Sequence, residues 1–226
     1  MAAEVIHEAR SDLEPTLARS SELLVTQLDR FESLLSDLLE VSRFDAGAAV
    51  LEVDPIDVRK IVHRVVDHLR PLADRKGSRL LVHEPRGTVI VDVDARRVER
   101  ILRNLVGNAI EHGEGRPVDI RVAMDDVAVA VGVRDHGVGL SQADVRMVFD
   151  RFWRADPARA RTTGGTGLGL AIALEDAHLH GGWLQAWGEP GAGAHFRLTL
   201  PRSSGQVLSG SPLPLVPADA LVAERS

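Results

Sequence analysis

Two asparagines, Asn104 and Asn108, stand four residues apart in RILRNLVGNAIEHG, a run in which Ile101, Leu102, Leu105 and Ile110 recur at helical spacing. Residues four apart stack on one helical face. Asparagine is an awkward mid-helix residue, because its side chain competes for backbone hydrogen bonds. Two on one stripe suggest a task. An amide oxygen is a hard, neutral ligand suited to Mg²⁺, an ion that keeps most of its waters and borrows phosphate oxygens for the rest. Two solvated or capping asparagines are the plain alternative.

A second stretch, VRDHGVGL, runs from a strand pattern into Asp135, Gly137 and Gly139. An aspartate at a strand end accepts a hydrogen bond from an exocyclic amine, and closely spaced glycines let a planar ring approach the backbone. The same pattern also occurs in ordinary turns. In the third stretch, FDRFWRADPARARTTGGTGLGLAIALEDAHLHGG, Gly164, Gly165, Gly167 and Gly169 precede a helical run. Backbone N–H groups and a helix N-terminus placed in this way meet phosphate oxygens. Upstream, Arg154 to Thr163 is polar and without apolar period, as in a mobile flap. The Walker ending Gly-Lys-Ser/Thr is absent, and the glycine spacing does not fit the dinucleotide fingerprint.

The elements that must position these residues fall into three parts. From Glu14 to about Ala46 one long amphipathic helix is expected, with Pro15 in its tolerated first turn and a seam of Leu24, Leu28, Phe31, Leu35 and Leu38. Leu34, Leu39 and Val41 widen that seam. At ~1.5 Å per residue such a helix is on the order of 45 Å long, and a partner helix must cover its stripe. Small residues around Gly47 then read as a hinge.

From there to Arg202 the pattern predicts an α/β sandwich, a mixed sheet with helices on one face. Strands are expected at 51–53, 79–83, 88–93, 118–124, 127–135, 183–188 and 195–200, and helices at 56–75, 95–112 and 168–180. Residues 203–226, rich in serine and proline and without period, read as a disordered tail.

Composition excludes several classes. The net charge is -6, and the only lysines are Lys60 and Lys76, so nonspecific nucleic-acid binding is not expected. Without cysteine there are no disulfides, thiolate metal sites or cysteine nucleophiles, which suits a reducing cytoplasm. No apolar run reaches the ~18 residues of a membrane helix, and no signal peptide opens the chain.

Taken in order, the segments resemble the catalytic domain of sensor histidine kinases, in the superfamily shared with gyrase and heat-shock chaperones. NLVGNAIEH is similar to the N box, RDHGVG to the first glycine box, FDRFWR to the F box and GGTGLGLAI to the second glycine box. The helix ending in LLSDLLEVSRFDAG resembles the second helix of the kinase dimerisation hairpin, so the likeness spans about residues 5 to 201. It divides the chain into a partial hairpin over 1–46, a catalytic ATP-binding domain over 47–202 and the tail.

The resemblance implies ATP and Mg²⁺ as ligands, with Asn108 binding the metal and Asn104 supporting metal and phosphates. Asp135 would hold the adenine amino group while Gly137 and Gly139 give the base room. Arg154 would approach the γ-phosphate, and Gly165, Thr166, Gly167, Leu168 and Gly169 would cradle the phosphates. Phe149, Phe152 and Trp153 read equally as packing residues that anchor the flap. Where the N box often has lysine then tyrosine, this chain has Glu111 then His112, a residue positioned to stack near the nucleotide or to serve the fold. Ala194 replaces a common hydroxyl residue.

The implied partners are a second copy through the hairpin and a response regulator of the OmpR-like kind, with the parent kinase in the plasma membrane and this portion in the cytoplasm. A stand-alone ATPase of the superfamily is the alternative. There, the position of Asn104 is a glutamate that activates water, which asparagine cannot replace as a base. A nucleotide-binding module without kinase activity is the third reading. His7 stands in VIHEARSDLEP, but the family's acceptor has proline five residues on, where this chain has Asp12, and Pro15 comes later. The phosphoacceptor histidine is therefore expected upstream of this chain.

Overall fold

The structure, a computed structural model, describes residues 15–155 and 166–223. It divides into two compact units, Met1–Ala49 and Val50–Ser226. His7 lies outside the described residues.

In the first unit, helix α1 (Pro15–Asp45) matches the expected long helix to within a residue at each end. Proline opens it, where its missing N–H has no intrahelical acceptor to lose. The apolar seam is uncovered: Leu24, Leu28, Phe31, Leu35 and Leu38 are all exposed. Among the described residues no helix is long and apolar enough to cross a membrane.

The second unit runs β1 (Asp54–Asp57), α2 (Val58–Lys76), β2 (Leu80–His83), β3 (Ile90–Val93), α3 (Ala95–His112), β4 (Val118–Met124), β5 (Ala128–Arg134), α4 (Gln142–Met147), α5 (Gly169–Leu179), β6 (Trp183–Glu189), β7 (Gly193–Pro201) and α6 (Ala218–Ala223). Five strands form one mixed sheet in the order β2-β4-β5-β7-β6, with β2 parallel to β4 and the other neighbours antiparallel. β1 and β3 form a separate antiparallel pair. Helices α2, α3 and α5 put their apolar residues into one core with the sheet, including Ile61, Ile101, Leu105 and Leu198. This is the expected α/β sandwich.

Aspartates start the two long helices of this unit. Asp57 caps α2 through the Arg59 N–H and also accepts from the Val89 N–H, so one side chain ties the helix start to the chain entering β3. Bonding to Arg59 outweighs burial and holds its carboxyl down at about 2. Asp94 caps α3 through the Arg96 and Arg97 N–H groups.

Helices α3 and α5 are joined by a buried ionic lock. Asp176 of α5 is fully enclosed and takes hydrogen bonds from Arg97 Nη1 at 2.8 Å and from Arg100 Nε and Nη2 at 2.8 Å each. Next to it, burial pushes the His180 pKa down. The neutral ring donates from Nδ1 to the Asp176 carbonyl and accepts the Asp94 N–H on Nε2.

Three expectations differ from the structure. The strand expected at 51–53 lies at 54–57 instead, in a segment holding Pro55. Among the described residues it pairs with β3 alone, which leaves an open edge where the missing proline N–H is tolerated. Helix α4 was not expected, although its Ser141-x-x-Asp144 start forms a capping box. The segment expected to be a disordered tail is instead seated on the second face of the sheet. Thr199 Oγ1 donates to Ser211 Oγ at 2.9 Å, His195 Nδ1 to the Leu215 carbonyl at 2.8 Å, and Arg197 to the Leu213 carbonyl. Leu208 and Leu213 are buried. An extended strap needs no period, only a few apolar residues where it crosses the sheet.

Replacing Asp176 removes the enclosed carboxylate that the Arg97 and Arg100 guanidinium groups share. Asp176→Ala is expected to lower unfolding stability by about 2–4 kcal/mol, read from urea denaturation. A change within error of zero would show that the lock is not stabilising.

Candidate functional site

One long face of α3 carries Asn104, Asn108 and His112 at successive steps of four. Asn104 Nδ2 donates to the Gly169 carbonyl at 3.1 Å, fixing the carboxamide against the first turn of α5. Asn108 is half-buried and its carboxamide has no hydrogen-bond partner among the described residues, so its oxygen is available to a ligand. The His112 side chain is exposed, while its carbonyl accepts the Val138 N–H at 3.2 Å. The placed role of His112 is therefore through its backbone, as an anchor for the loop after β5.

That loop presents Asp135. Its carboxyl is buried, and Oδ1 accepts from the Gly137 N–H at 3.0 Å and the Ala194 N–H at 3.3 Å. Oδ2 takes no hydrogen bond from any described residue and is not among the buried atoms left without a partner, so it faces an opening. Burial pushes the Asp135 pKa up, against the pull of the two N–H groups. The carboxyl is thus oriented by one oxygen and free to receive a donor on the other. Ala194 acts here through its N–H, which no hydroxyl is needed to provide.

The glycines around Asp135 mark close approaches. A β-carbon on Gly137 would overlap the His112 carbonyl, and one on Gly139 would overlap the Glu189 carbonyl, with Gly139 also in the left-handed region at φ 73°. Absent side chains at these points let the end of α3, the Asp135 loop and the β6–β7 turn meet.

Helix α5 begins at Gly169 with Leu168 as its N-cap, and no side chain caps it. Its first N–H groups therefore point out of the helix without an acceptor from a capping side chain, beside Asn104. Leu168 is buried and contributes its N–H to Thr166 Oγ1 at 3.2 Å. The Gly167 carbonyl accepts the Phe152 N–H at 2.9 Å and ties the glycine loop to the aromatic segment. Within that segment Phe149 and Trp153 pack on the core, with Phe149 edge-on to Phe196, as expected of anchors. Phe152 does not: it is 65% exposed, with φ 64°. Arg154 is half-buried just before residues 156–165, and these, with Gly165 and most of the expected flap, lie outside the described residues.

A cavity of about 410 Å³ lies elsewhere, lined by Leu51, Val53, Asp92, His178, Trp183 and Leu208 among others. It contains none of the residues singled out by sequence. Among the described residues no three His, Asp or Glu side chains are grouped to hold a metal ion. Sequence reading missed the Ala194 N–H and the Gly169 carbonyl, because backbone groups carry no residue-type signal.

Comparison with known proteins is specific. Residues 93–204 match the family described as histidine kinase-, DNA gyrase B- and HSP90-like ATPase. The chain is 58% identical over 217 residues to the sensor histidine kinase MtrB of Mycobacterium leprae, which covers 96% of this chain and 39% of that protein. It is 41% identical to the signal transduction histidine-protein kinase AfsQ2 of Streptomyces coelicolor, over 84% of this chain and 34% of that one. The chain thus spans about two fifths or less of the length of these curated relatives. Among solved structures, full-length ShkA in complex with AMPPNP superposes with a TM-score of 0.74 at 26% identity, covering 93% of this chain and 46% of that one. The Acinetobacter baumannii histidine kinase AdeS has a TM-score of 0.69 at 19% identity, covering 89% and 93%, which speaks for the fold.

Because Gly137 has no room for a β-carbon, Gly137→Ala is expected to cost about 1–3 kcal/mol in overpacking and to lower the melting temperature. A melting temperature equal to that of the unsubstituted chain would show that the α3 end and the Asp135 loop are not held at this distance.

Proposed function

The chain belongs to the sensor histidine kinases and carries their ATP-binding catalytic domain, and we propose that ATP lies between α3, the Asp135 loop and the N-terminus of α5. The observation that carries this reading is the Asp135 carboxyl, oriented through Oδ1 with Oδ2 unengaged, a disposition suited to the adenine amino group. At Gly137 and Gly139 the space of a β-carbon is taken by backbone of the α3 end and of the β6–β7 turn, which holds the Asp135 loop where the base would reach it. ShkA, solved with the ATP analogue AMPPNP, supports nucleotide binding by this fold.

At the other end of the site, the uncapped start of α5 offers N–H groups to phosphate oxygens, and Asn104 holds that start in place through the Gly169 carbonyl. The unpartnered Asn108 carboxamide fits a Mg²⁺ ion, which would supply charge neutralisation on the phosphates. Gly165, Thr166, Gly167, Leu168 and Gly169 would close around the phosphate chain, and Arg154 would approach its γ end. The exposed His112 side chain would stack near the nucleotide.

The whole protein would then pass the γ-phosphoryl of ATP to a histidine nitrogen, releasing ADP, and from there to a response-regulator aspartate. Such transfer asks mainly for positioning and charge stabilisation. Water is a poor competing acceptor here, because Asn104 has no basic atom to activate it and its amide is engaged on Gly169. That favours phosphotransfer over a hydrolytic ATPase cycle. The uncovered seam of α1 supports a hairpin that pairs two copies. The regulator would be OmpR-like, and the parent kinase would sit in the plasma membrane with this portion on the cytoplasmic side.

Calorimetric titration tests the reading. Asn108→Ala is expected to weaken binding of ATP in the presence of Mg²⁺ about tenfold or more, with little change in chelator and an unchanged melting temperature. Equal affinity of the two proteins for Mg²⁺-ATP would remove Asn108 from the site.

A further inference from the structure

Arg134, the last residue of β5, is buried, with a side chain 8% exposed. Its guanidinium donates four hydrogen bonds. Nη1 donates to the Asp135 carbonyl at 2.8 Å and Nη2 to the Ala192 carbonyl at 2.7 Å. On its far side, Nη2 and Nε donate to Asp219 Oδ2 at 2.9 and 3.3 Å. The guanidinium also lies over the Trp187 ring, 5.0 Å from its centroid.

The two carbonyls belong to the segments that orient Asp135. Ala192 precedes Gly193, which has no room for a β-carbon beside the Asp135 carbonyl, and Ala194, whose N–H holds Asp135 Oδ1. One guanidinium therefore sets the spacing between the strand end that carries the carboxyl and the turn that aims it. Its only carboxylate partner among the described residues, Asp219, comes from the strap that crosses the outer face of the sheet. That strap is seated by Leu208 and Leu213, and by hydrogen bonds at Ser211, Leu213 and Leu215.

We propose that the C-terminal segment 203–223 is a working part of the nucleotide site, in which Asp219 acts as a positioning residue that sets the base-recognising Asp135 through Arg134. This rests on the reading of Asp135 as the adenine acceptor. A guanidinium deprived of its carboxylate must seek water. As it moves it releases the Asp135 and Ala192 carbonyls together. The consequence falls on the base and not on the phosphates, which are served by α3 and α5.

The test compares ATP, ITP and inorganic triphosphate, each with Mg²⁺, on the unsubstituted chain and on Asp219→Ala, Asp219→Glu and Asp135→Asn. ITP carries a carbonyl where ATP carries the amino group. Asp219→Ala is expected to lower ATP affinity about three- to fivefold, the scale of a partly exposed ion pair. ITP and triphosphate affinity should be unchanged, so that the preference for ATP over ITP shrinks, with Asp219→Glu recovering part of it. A general loss of stability would weaken all three ligands alike and would overturn the proposal. If Asp135→Asn abolishes the preference while Asp219→Ala leaves it intact, the strap has no part in base recognition. If Asp135→Asn leaves the preference intact, the adenine reading itself fails, and this proposal with it.

Discussion

A single buried carboxylate aligns the two halves of the site. Asp176 on α5 receives three hydrogen bonds from Arg97 and Arg100 on α3. α3 carries Asn104 and Asn108, and α5 supplies the uncapped N-terminus. Asp176 sits two helical turns along α5 from Gly169, so the lock fixes the axis of α5, and the Asn104–Gly169 hydrogen bond fixes its start. Both must hold if the carboxamides and the N–H groups are to meet one nucleotide, as proposed. Buried ion pairs are an uncertain source of net stability, because desolvation opposes attraction. Here the return is in register: few other arrangements satisfy two arginines and one enclosed carboxylate together.

The base end of the site follows a similar economy with different means. Asp135 is oriented by two backbone N–H groups, and its surroundings admit only glycine where chain segments cross. Arg134 and Asp219 complete this arrangement from behind the sheet. The proposed base end is thus preorganised by short-range geometry, while the proposed phosphate end depends on how two helices are set against each other. Preorganised donors and acceptors need little rearrangement when charge or a ligand arrives.

Much of this was legible in residue order. The bounds of α3 and β4 follow from apolar spacing alone: Val118, Ile120 and Val122 point inward on alternate positions, and Arg121 points out. Asn104, Asp135 and Gly137 stood out by type and spacing. What escaped was of another kind. Strand β1 is Asp-Pro-Ile-Asp, a sequence with poor strand propensity that forms because it pairs with β3. The strap carries only isolated leucines among prolines, and its place depends on His195, Arg197 and Thr199 on the outer face of β7. Tertiary partners, invisible in a local window, decide both. At His112 it is the backbone carbonyl, which carries no residue-type signal, that anchors the loop after β5.

In the proposed site one nucleotide spans Asp135 at one end and the start of α5 at the other. This placement is tested most directly by following backbone and asparagine side-chain amide resonances during titration with an ATP analogue, first in chelator and then with Mg²⁺. Shifts are expected at 135–139, 193–194 and 166–170 in both conditions, with the Asn108 carboxamide moving mainly when Mg²⁺ is added. Shifts gathered instead around Leu51, His178 and Trp183, with 135–139 unmoved, would place the ligand in the other cavity and rule out this site.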